Sequence, residues 1–568
     1  MRPNLSGICF LAALCLLLLG VVNASHFPPW TSFHAEAPPF LASTLILAGC
    51  AFQRPRISAG IVLVAALAAL AWAQLASGLI PHAGDAWVVT AYLAAFAAAW
   101  LGGAAAASPE DRAKLMYAVT VAMVAMGLLA AFQCLAQWAQ VDDRWAEWVF
   151  PAAQSSRAVG NFGQPNQTAT LLLMAVAAAG SLVIQGRLGW AVGWALLLLL
   201  GWAVVVTQSR TALLSTGMLV AGLVGLSLLV PALRPWRKHA LIWLGYVFAA
   251  TWLYQVAPAV QGTKGPIGAE AMVSVGLRPV LWAQLSLAAL QQPWFGFGWL
   301  QVSTAQQAGA MRFPGIEQTN YAHNVMLDLI VMVGIPIAVA VLAAAAVWLV
   351  RRALRLWHER PAEGAMVGAL FMLIPFAVHA QLELPHAYSY FLVPVGLLLG
   401  VFDGATRNPE EGIEVPRPVI AAAAAIMIAL FGVLAYEYSA VEEDFRITRF
   451  ENRHLGETPG DYVPPAPKFL TQLGDMLAAT RLRATRNMPE EELDTLLRAS
   501  RRYTWAPLQF RAALALALNR RPKEAAENLQ VIRDLFPKDI VKEGRDNWER
   551  LQRESYPELS AVPFPPIR

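Results

Sequence analysis

The segment Gln318–Gly334, QTNYAHNVMLDLIVMVG, decides how the rest of the chain is read. It opens on polar residues, sets His323 beside Asn324, and turns at once into a long apolar run. A histidine therefore stands where a hydrated segment meets a membrane helix. Two readings follow. Asn324 and His323 can cap a helix N-terminus, where short polar side chains take up backbone N–H groups. The histidine can also be a titratable group at the mouth of a membrane cavity, placed for acid–base chemistry. Position alone favours the cap, and the rest of the chain bears on the choice.

Of the 568 residues, 57% are hydrophobic and only 14% charged, whereas soluble domains carry about a quarter charged residues. The composition is that of an integral membrane protein. The net charge is +4, and no basic run is long enough to follow a phosphate backbone, so no nucleic-acid partner is expected. Cys9, Cys15, Cys50 and Cys134 all lie inside apolar runs at no metal-ligand spacing, and read as small hydrophobes. The first 24 residues resemble a signal peptide, but an apolar run of this length also spans a bilayer. An uncleaved first span is the preferred reading.

Thirteen apolar runs lie between residues 7 and 438; the second, 38–52, is short. With the N-terminus in the cytoplasm and the runs alternating, inside segments hold 15 Lys and Arg. Outside segments before the tail hold 6: Arg144, Arg157, Arg210, Lys264, Arg278 and Arg312. This asymmetry fits the rule that cytoplasmic loops are cation-rich, and an odd count puts the C-terminal tail outside. The expected organisation is a transmembrane domain over 1–438, with a large outside loop over 257–322, and a charged helical domain over 439–568.

The outside segments are cation-poor, so the cations that remain there need a reason. Loop 140–167 carries QSSRAVGNFGQPNQTAT, in which Arg157, Asn161, Gln164 and Asn166 offer hydrogen-bonding groups and Thr168 opens the next helix. Turn chemistry with Asn as a cap is the plain alternative. In VVVTQSRTALLS, Ser209 is a candidate N-cap and Arg210 begins the helix. A cation there opposes the helix dipole, and snorkelling or an anionic ligand would account for it. In the large loop, helical spacing from Pro279 to Leu290 predicts an amphipathic helix behind Arg278, broken at Pro293, Gly296 and Gly298. Trp294, Phe295 and Trp299 read as interfacial anchors. The turn QLELPHAYSYFLVP sets Glu383 and His386 around Pro385, with Tyr388 and Tyr390 next. Arginines facing outward at bilayer depth suit a pyrophosphate, and a histidine with them suits removal of a proton from an acceptor hydroxyl.

These segments resemble the Wzy/WaaL superfamily of O-antigen polymerases and ligases, and within it the PglL-type protein glycosylation ligases. The resemblance rests on GNFGQPNQTATLL, QSRTALL, RPVLWAQ followed by PWFGFGW, the YAHN segment and LELPHAYSYFLVP, and covers roughly 150–400. It implies a GT-C-type membrane glycosyltransferase that moves a glycan en bloc from undecaprenyl pyrophosphate to Ser or Thr of a periplasmic or pilin-like protein. It also implies an inner-membrane location, a periplasmic site and no metal or cofactor. By motif, His323 would be catalytic and Arg210 and Arg278 would hold the pyrophosphate. Gln164 and Tyr388 would match required polar positions. Leu384 departs from the aromatic residue expected beside Pro385. Arg157, Asn166, Asn324 and Glu383 complete the set of candidate substrate-binding residues.

Segment 503–534 reads as two amphipathic helices around an Asn-Arg-Arg-Pro turn, packed through Ala512, Leu514, Ala515, Ala525 and Leu529. It resembles a tetratricopeptide-like pair, with further helices near 466–483 and 489–501. Acceptor docking and a structural cap both suit it. An O-antigen ligase acting on lipid A-core, or a polymerase, would share the same donor chemistry. A transporter or lipid flippase would place ionisable residues deep in the membrane. The apolar runs hold almost none. Asp328 is the main exception, and stands as a candidate support for His323.

Overall fold

The computed structural model describes residues 5–53, 55–106, 108–152, 155–261, 265, 276–314, 318–359, 364–408 and 410–567. Arg2, Arg54, Lys264 and Arg360, which enter the charge balance, lie outside the described residues. Each apolar run read from the sequence coincides with one helix, except 323–350, which holds two. Nine helices among the described residues are long and apolar enough to cross a membrane, from Leu5–Val22 to Arg417–Glu451. Trp190–Val206 and Gly364–Ala380 are apolar but shorter. Helices are the expected solution, because hydrocarbon offers no water to backbone N–H and C=O groups. The two strands among the described residues, Arg56–Ile57 and Ile413–Glu414, form one short antiparallel pair.

The chain divides into two compact units. The first comprises Met1–Leu67, Ala91–Ser274 and Ala344–Gly432. At its centre is the helix Pro165–Ile184, which packs against Pro109–Trp138, Trp190–Val206, Arg210–Leu229 and Gly364–Ala380. Its run of alanines allows close approach, as small residues do where membrane helices cross. A Cβ on Gly127 would sit 2.1 Å from the Ala175 Cβ. Elsewhere in this unit Arg352 bonds Asp403 at 2.8 Å and Glu411 at 2.7 Å. Burial works to raise the Glu411 carboxyl, but the bonds from Arg352 and Arg355 outweigh it and hold the group at about 2.

The second unit comprises Ala68–Thr90, Val275–Ala343 and Val433–Arg568. Here the sequence predicts one helix over 323–350, and the structure breaks it at Gly334 into Val325–Val333 and Ile335–Glu359. Gly334 has φ +85°, and a Cβ there would lie 2.4 Å from the Trp294 carbonyl oxygen. The break is a docking seam. The Phe297 and Gly298 N–H groups donate to Val331 and Met332 carbonyls at 2.8 and 3.1 Å, and Ile335 N–H donates to the Pro293 carbonyl at 2.7 Å. Gln74 locks the seam, donating to Met332 O at 2.9 Å and accepting from Trp299 N at 3.0 Å. Trp294 and Phe295 are exposed, while Trp299 packs into the apolar cluster beneath.

The helix Arg417–Glu451 runs unbroken through the composition change at 438/439. The expected tail helices appear as Thr471–Arg481, Glu490–Arg502, Ala506–Leu518 and Pro522–Leu535, and Lys538–Glu554 follows. Ala512, Ala515, Ala525 and Leu529 are buried in the tail core, with Leu514 partly so. The fully buried Trp548, which donates to Val562 O at 2.9 Å, closes that core from the last helix. Within this unit the tail is tied to earlier segments. Arg502 pairs with buried Asp85 at 3.1 Å, His82 meets Asp475 at 3.2 Å, and Ser303 donates to Arg502 O at 2.9 Å.

Gly334→Ala is expected to destabilise the detergent-purified protein by about 1–3 kcal/mol, read as a lower thermal midpoint. An unchanged midpoint would show that the seam does not require the left-handed glycine.

Candidate functional site

The sequence-predicted site residues fall into two groups, one in each unit. The first is built around the start of the Pro165–Ile184 helix. The sequence reading opens this helix at Thr168 with an Asn cap. The structure starts it at Pro165, with Gln164 as the N-cap, its side chain accepting from Gln167 N–H at 2.9 Å. Proline at the first helical position needs no hydrogen-bond partner for its nitrogen, which is why the helix begins earlier. Asn166, relieved of capping, becomes a hub. Its Oδ1 accepts from Arg157 Nη2 at 3.3 Å and Ser209 Oγ at 2.7 Å, and its Nδ2 donates to Glu383 Oε1 at 3.1 Å.

Each partner is itself fixed. Arg157 Nε donates to the Thr207 carbonyl at 2.9 Å. Ser209 caps the Arg210–Leu229 helix, accepting from Ala212 N–H at 3.1 Å, as the sequence predicts. Glu383 is buried, at 6% exposure. Burial and then the nearby Arg210 lower the Arg157 pKa to about 10, with Glu383 opposing both. Two guanidiniums and one carboxylate thus meet in a partly desolvated setting. Guanidiniums placed this way suit an anion with several oxygens.

Tyr388 lies at the next helix start. Its ring stacks on Tyr390 with centroids 5.0 Å apart, and Tyr390 stacks on Phe162 at 4.3 Å. Gln167 hydrogen-bonds both tyrosine hydroxyls. Sequence reading missed the group that supports this turn. Tyr388 provides no side-chain cap for Ser389–Thr406. Glu36 does so instead, accepting from Ser389 N–H at 2.8 Å and from the Tyr92 hydroxyl at 2.6 Å. The available signal was a lone carboxylate beside an apolar run. His26, also missed, lies against the same loop, 3.2 Å from where a Cβ on Gly163 would be.

The second group surrounds His323. Asn324 is the N-cap, accepting from Met326 and Leu327 N–H groups at 3.1 and 3.0 Å. Capping is therefore met by Asn324, and the imidazole is not spent on it. His323 has φ +54°, a left-handed conformation that non-glycine residues hold only when their surroundings enforce it. The enforcement is visible at the preceding peptide. Ala322 N–H donates to the buried Asp328 at 2.6 Å, and Ala322 C=O accepts from Trp282 Nε1 at 2.8 Å. Asp328 thus acts on the histidine segment through its backbone. Trp282 sits one turn after Arg278 on the helix Arg278–Gln291, so that helix both begins at the candidate arginine and clamps the neighbour of the candidate histidine.

Among the described residues, no group of three or more His, Cys, Asp or Glu could hold a metal ion. Asp142 and Asp143 bond backbone N–H groups of Ala152 and Arg144 in and beside a short helix.

Comparison with known proteins points the same way. Residues 158–182 match a family described as protein glycosylation ligase, 195–341 match O-antigen ligase, and 367–550 match virulence factor membrane-bound polymerase, C-terminal. The chain is 25% identical over 555 residues to the general O-oligosaccharyltransferase of Acinetobacter baylyi, covering 93% of this chain and 92% of the relative. It is 28% identical over 272 residues to the ComP-specific O-oligosaccharyltransferase of the same organism, covering 47% of each. These matches bear out the resemblance to O-antigen ligases and protein glycosylation ligases. Oligosaccharyltransferases, as both relatives are named, are glycosyltransferases.

Asn166→Ala removes the acceptor shared by Arg157 and Ser209 and a donor to Glu383. It is expected to destabilise the protein by about 1–3 kcal/mol, measured by thermal unfolding in detergent. A loss no larger than that of an exposed Asn→Ala control would deny Asn166 its hub role.

Proposed function

We propose that this protein is a protein O-oligosaccharyltransferase of GT-C type. It moves a glycan en bloc from undecaprenyl pyrophosphate to Ser or Thr hydroxyls of periplasmic or pilin-like proteins. The observation that carries this reading is Asn166, which joins Arg157, Ser209 and the buried Glu383, with Arg210 next in the chain to Ser209. The names of the two Acinetobacter relatives support the acceptor class. The location proposed is the bacterial inner membrane, N-terminus inside, with the tail and the site in the periplasm.

The reaction joins the acceptor Oγ to the anomeric carbon of the glycan and breaks the bond from that carbon to the pyrophosphate oxygen. The hydroxyl proton passes to His323. The pyrophosphate leaves with its charge held by arginine forks, Arg157 and Arg210 from the hub and Arg278 by motif. Pyrophosphate is already a good leaving group, so positioning and charge stabilisation are the protein's main tasks. A general base adds about 10²–10⁴-fold. Gln164, Glu383, Asn324 and Tyr388 orient the arginines, the histidine turn and the substrate. The charged tail over 439–568 is assigned to acceptor docking.

The match of residues 195–341 to O-antigen ligase supports a second reading with the same donor and lipid A-core as acceptor. A transfer assay separates them. Purified protein receives an undecaprenyl-pyrophosphate glycan with a pilin-type protein or lipid A-core, with and without His323→Ala. The expected result is label on the protein, reduced by about 10²-fold or more in His323→Ala. Label on lipid A-core alone would establish the second reading, and full activity of the variant would remove His323 from the chemistry.

A further inference from the structure

The first unit contains an apolar cavity of about 100 Å³ at the far ends of the helices that begin at the arginine cluster. Its walls include Gly180, Leu197, Leu223 and Phe371, with Trp194 and Trp236 around His239. Ile184 is 19 residues along the helix from Pro165, or about 29 Å at 1.5 Å per residue, close to the thickness of a bilayer's hydrocarbon core. The cavity thus opens near the opposite leaflet from the one in which a pyrophosphate at Arg157 and Arg210 would sit.

The groups at this end carry a charge pattern. His239 lies edge-on to Trp194 and tilted against Trp236, with ring centroids 6.0 and 5.6 Å away. Lys238 stands beside His239, which lines the cavity, and Arg234 lies two residues before Trp236, which also does; both cations are exposed. Among the described residues, no acidic side chain pairs with either of them. The chain offers few: no Asp or Glu occurs between Glu147 and Glu270. Cations at a cytoplasmic helix end are ordinary topology signals. A hydrocarbon-lined cavity next to them, rimmed by two tryptophans and an imidazole, is not required by topology.

We propose that this cavity is a binding site for an anionic glycerophospholipid. One acyl chain enters between Gly180 and Leu223, and the phosphate is met by Arg234, Lys238 and His239. The donor's own isoprenoid fits less well, because it carries its charge at its other end and would leave these cations unmatched. A zwitterionic phospholipid fits less well too, since among the described residues no carboxylate lines the cavity to meet its ammonium. The lipid would brace the ends of the helices Pro165–Ile184, Arg210–Leu229 and Arg237–Val256 against one another.

Gly180 provides a clean test. A Cβ there meets nothing within 4 Å, and leucine is a better helix former than glycine, so Gly180→Leu fills the cavity without straining the fold. Detergent-purified full-length protein is titrated with phosphatidylglycerol, phosphatidylethanolamine or undecaprenyl phosphate and read by native mass spectrometry. The expected result is one tight phosphatidylglycerol per chain. Its preference over phosphatidylethanolamine should be on the order of tenfold, the scale of one to two lysine or arginine contacts with an anionic headgroup. Gly180→Leu loses the tight copy. The double variant Arg234→Ala, Lys238→Ala reduces phosphatidylglycerol to the level of phosphatidylethanolamine. Equal affinity for the two phospholipids, unchanged binding in Gly180→Leu, or preference for undecaprenyl phosphate would each overturn the assignment.

Discussion

The first turn of a helix leaves N–H groups without intrahelical partners, and hydrocarbon cannot supply them. That constraint organises the candidate residues of this protein. Four of the helix starts capped by a polar side chain bear on the candidate residues: Gln164 for Pro165–Ile184, Ser209 for Arg210–Leu229, Asn324 for Val325–Val333, and the distant Glu36 for Ser389–Thr406. Within two positions of each of these four stands a residue with chemistry to offer: Asn166, Arg210, His323 and Tyr388. The caps hold the backbone, and the neighbours are thereby set in fixed places on rigid elements.

Electrostatics then works against the resting state of the arginine cluster. Arg210 sits on the positive end of a helix dipole, and Arg157 adds a second positive charge beside it, offset by one carboxylate. A cation placed against a helix dipole opposes a local rule, and such departures are expected at ligand-binding positions. The left-handed backbone at His323, enforced by Asp328 and Trp282 through one peptide, has the same character on a smaller scale.

Local signals made much of this legible in the sequence. The apolar runs other than 323–350, the Ser209 cap, the Arg278 helix and the tail helix pair depend on neighbours along the chain, and these appear as read. The rest depends on contacts far apart in sequence. Gly334 breaks a continuous apolar run because the loop from Pro293 to Gly298 needs to lie against it, which no local pattern announces. Glu36 caps a helix more than 350 residues later, so its role could not be inferred from its surroundings. Gln164 displaced the expected Asn cap because Pro165 starts the helix one turn early, and that shift turned Asn166 from a cap into the hub. Asp85 was passed over because its partner Arg502 lies in the tail.

The division of labour between arginines and histidine is the central claim, and binding of donor without acceptor tests it most directly. The affinity of detergent-purified protein for undecaprenyl pyrophosphate would be measured for the parent, Arg157→Ala, Arg210→Ala and His323→Ala. The account predicts that each arginine variant binds at least about tenfold more weakly, the scale of one lost charge-assisted contact, while His323→Ala binds as the parent does. Equal binding by all four proteins would contradict the assignment of the Asn166 cluster to the pyrophosphate.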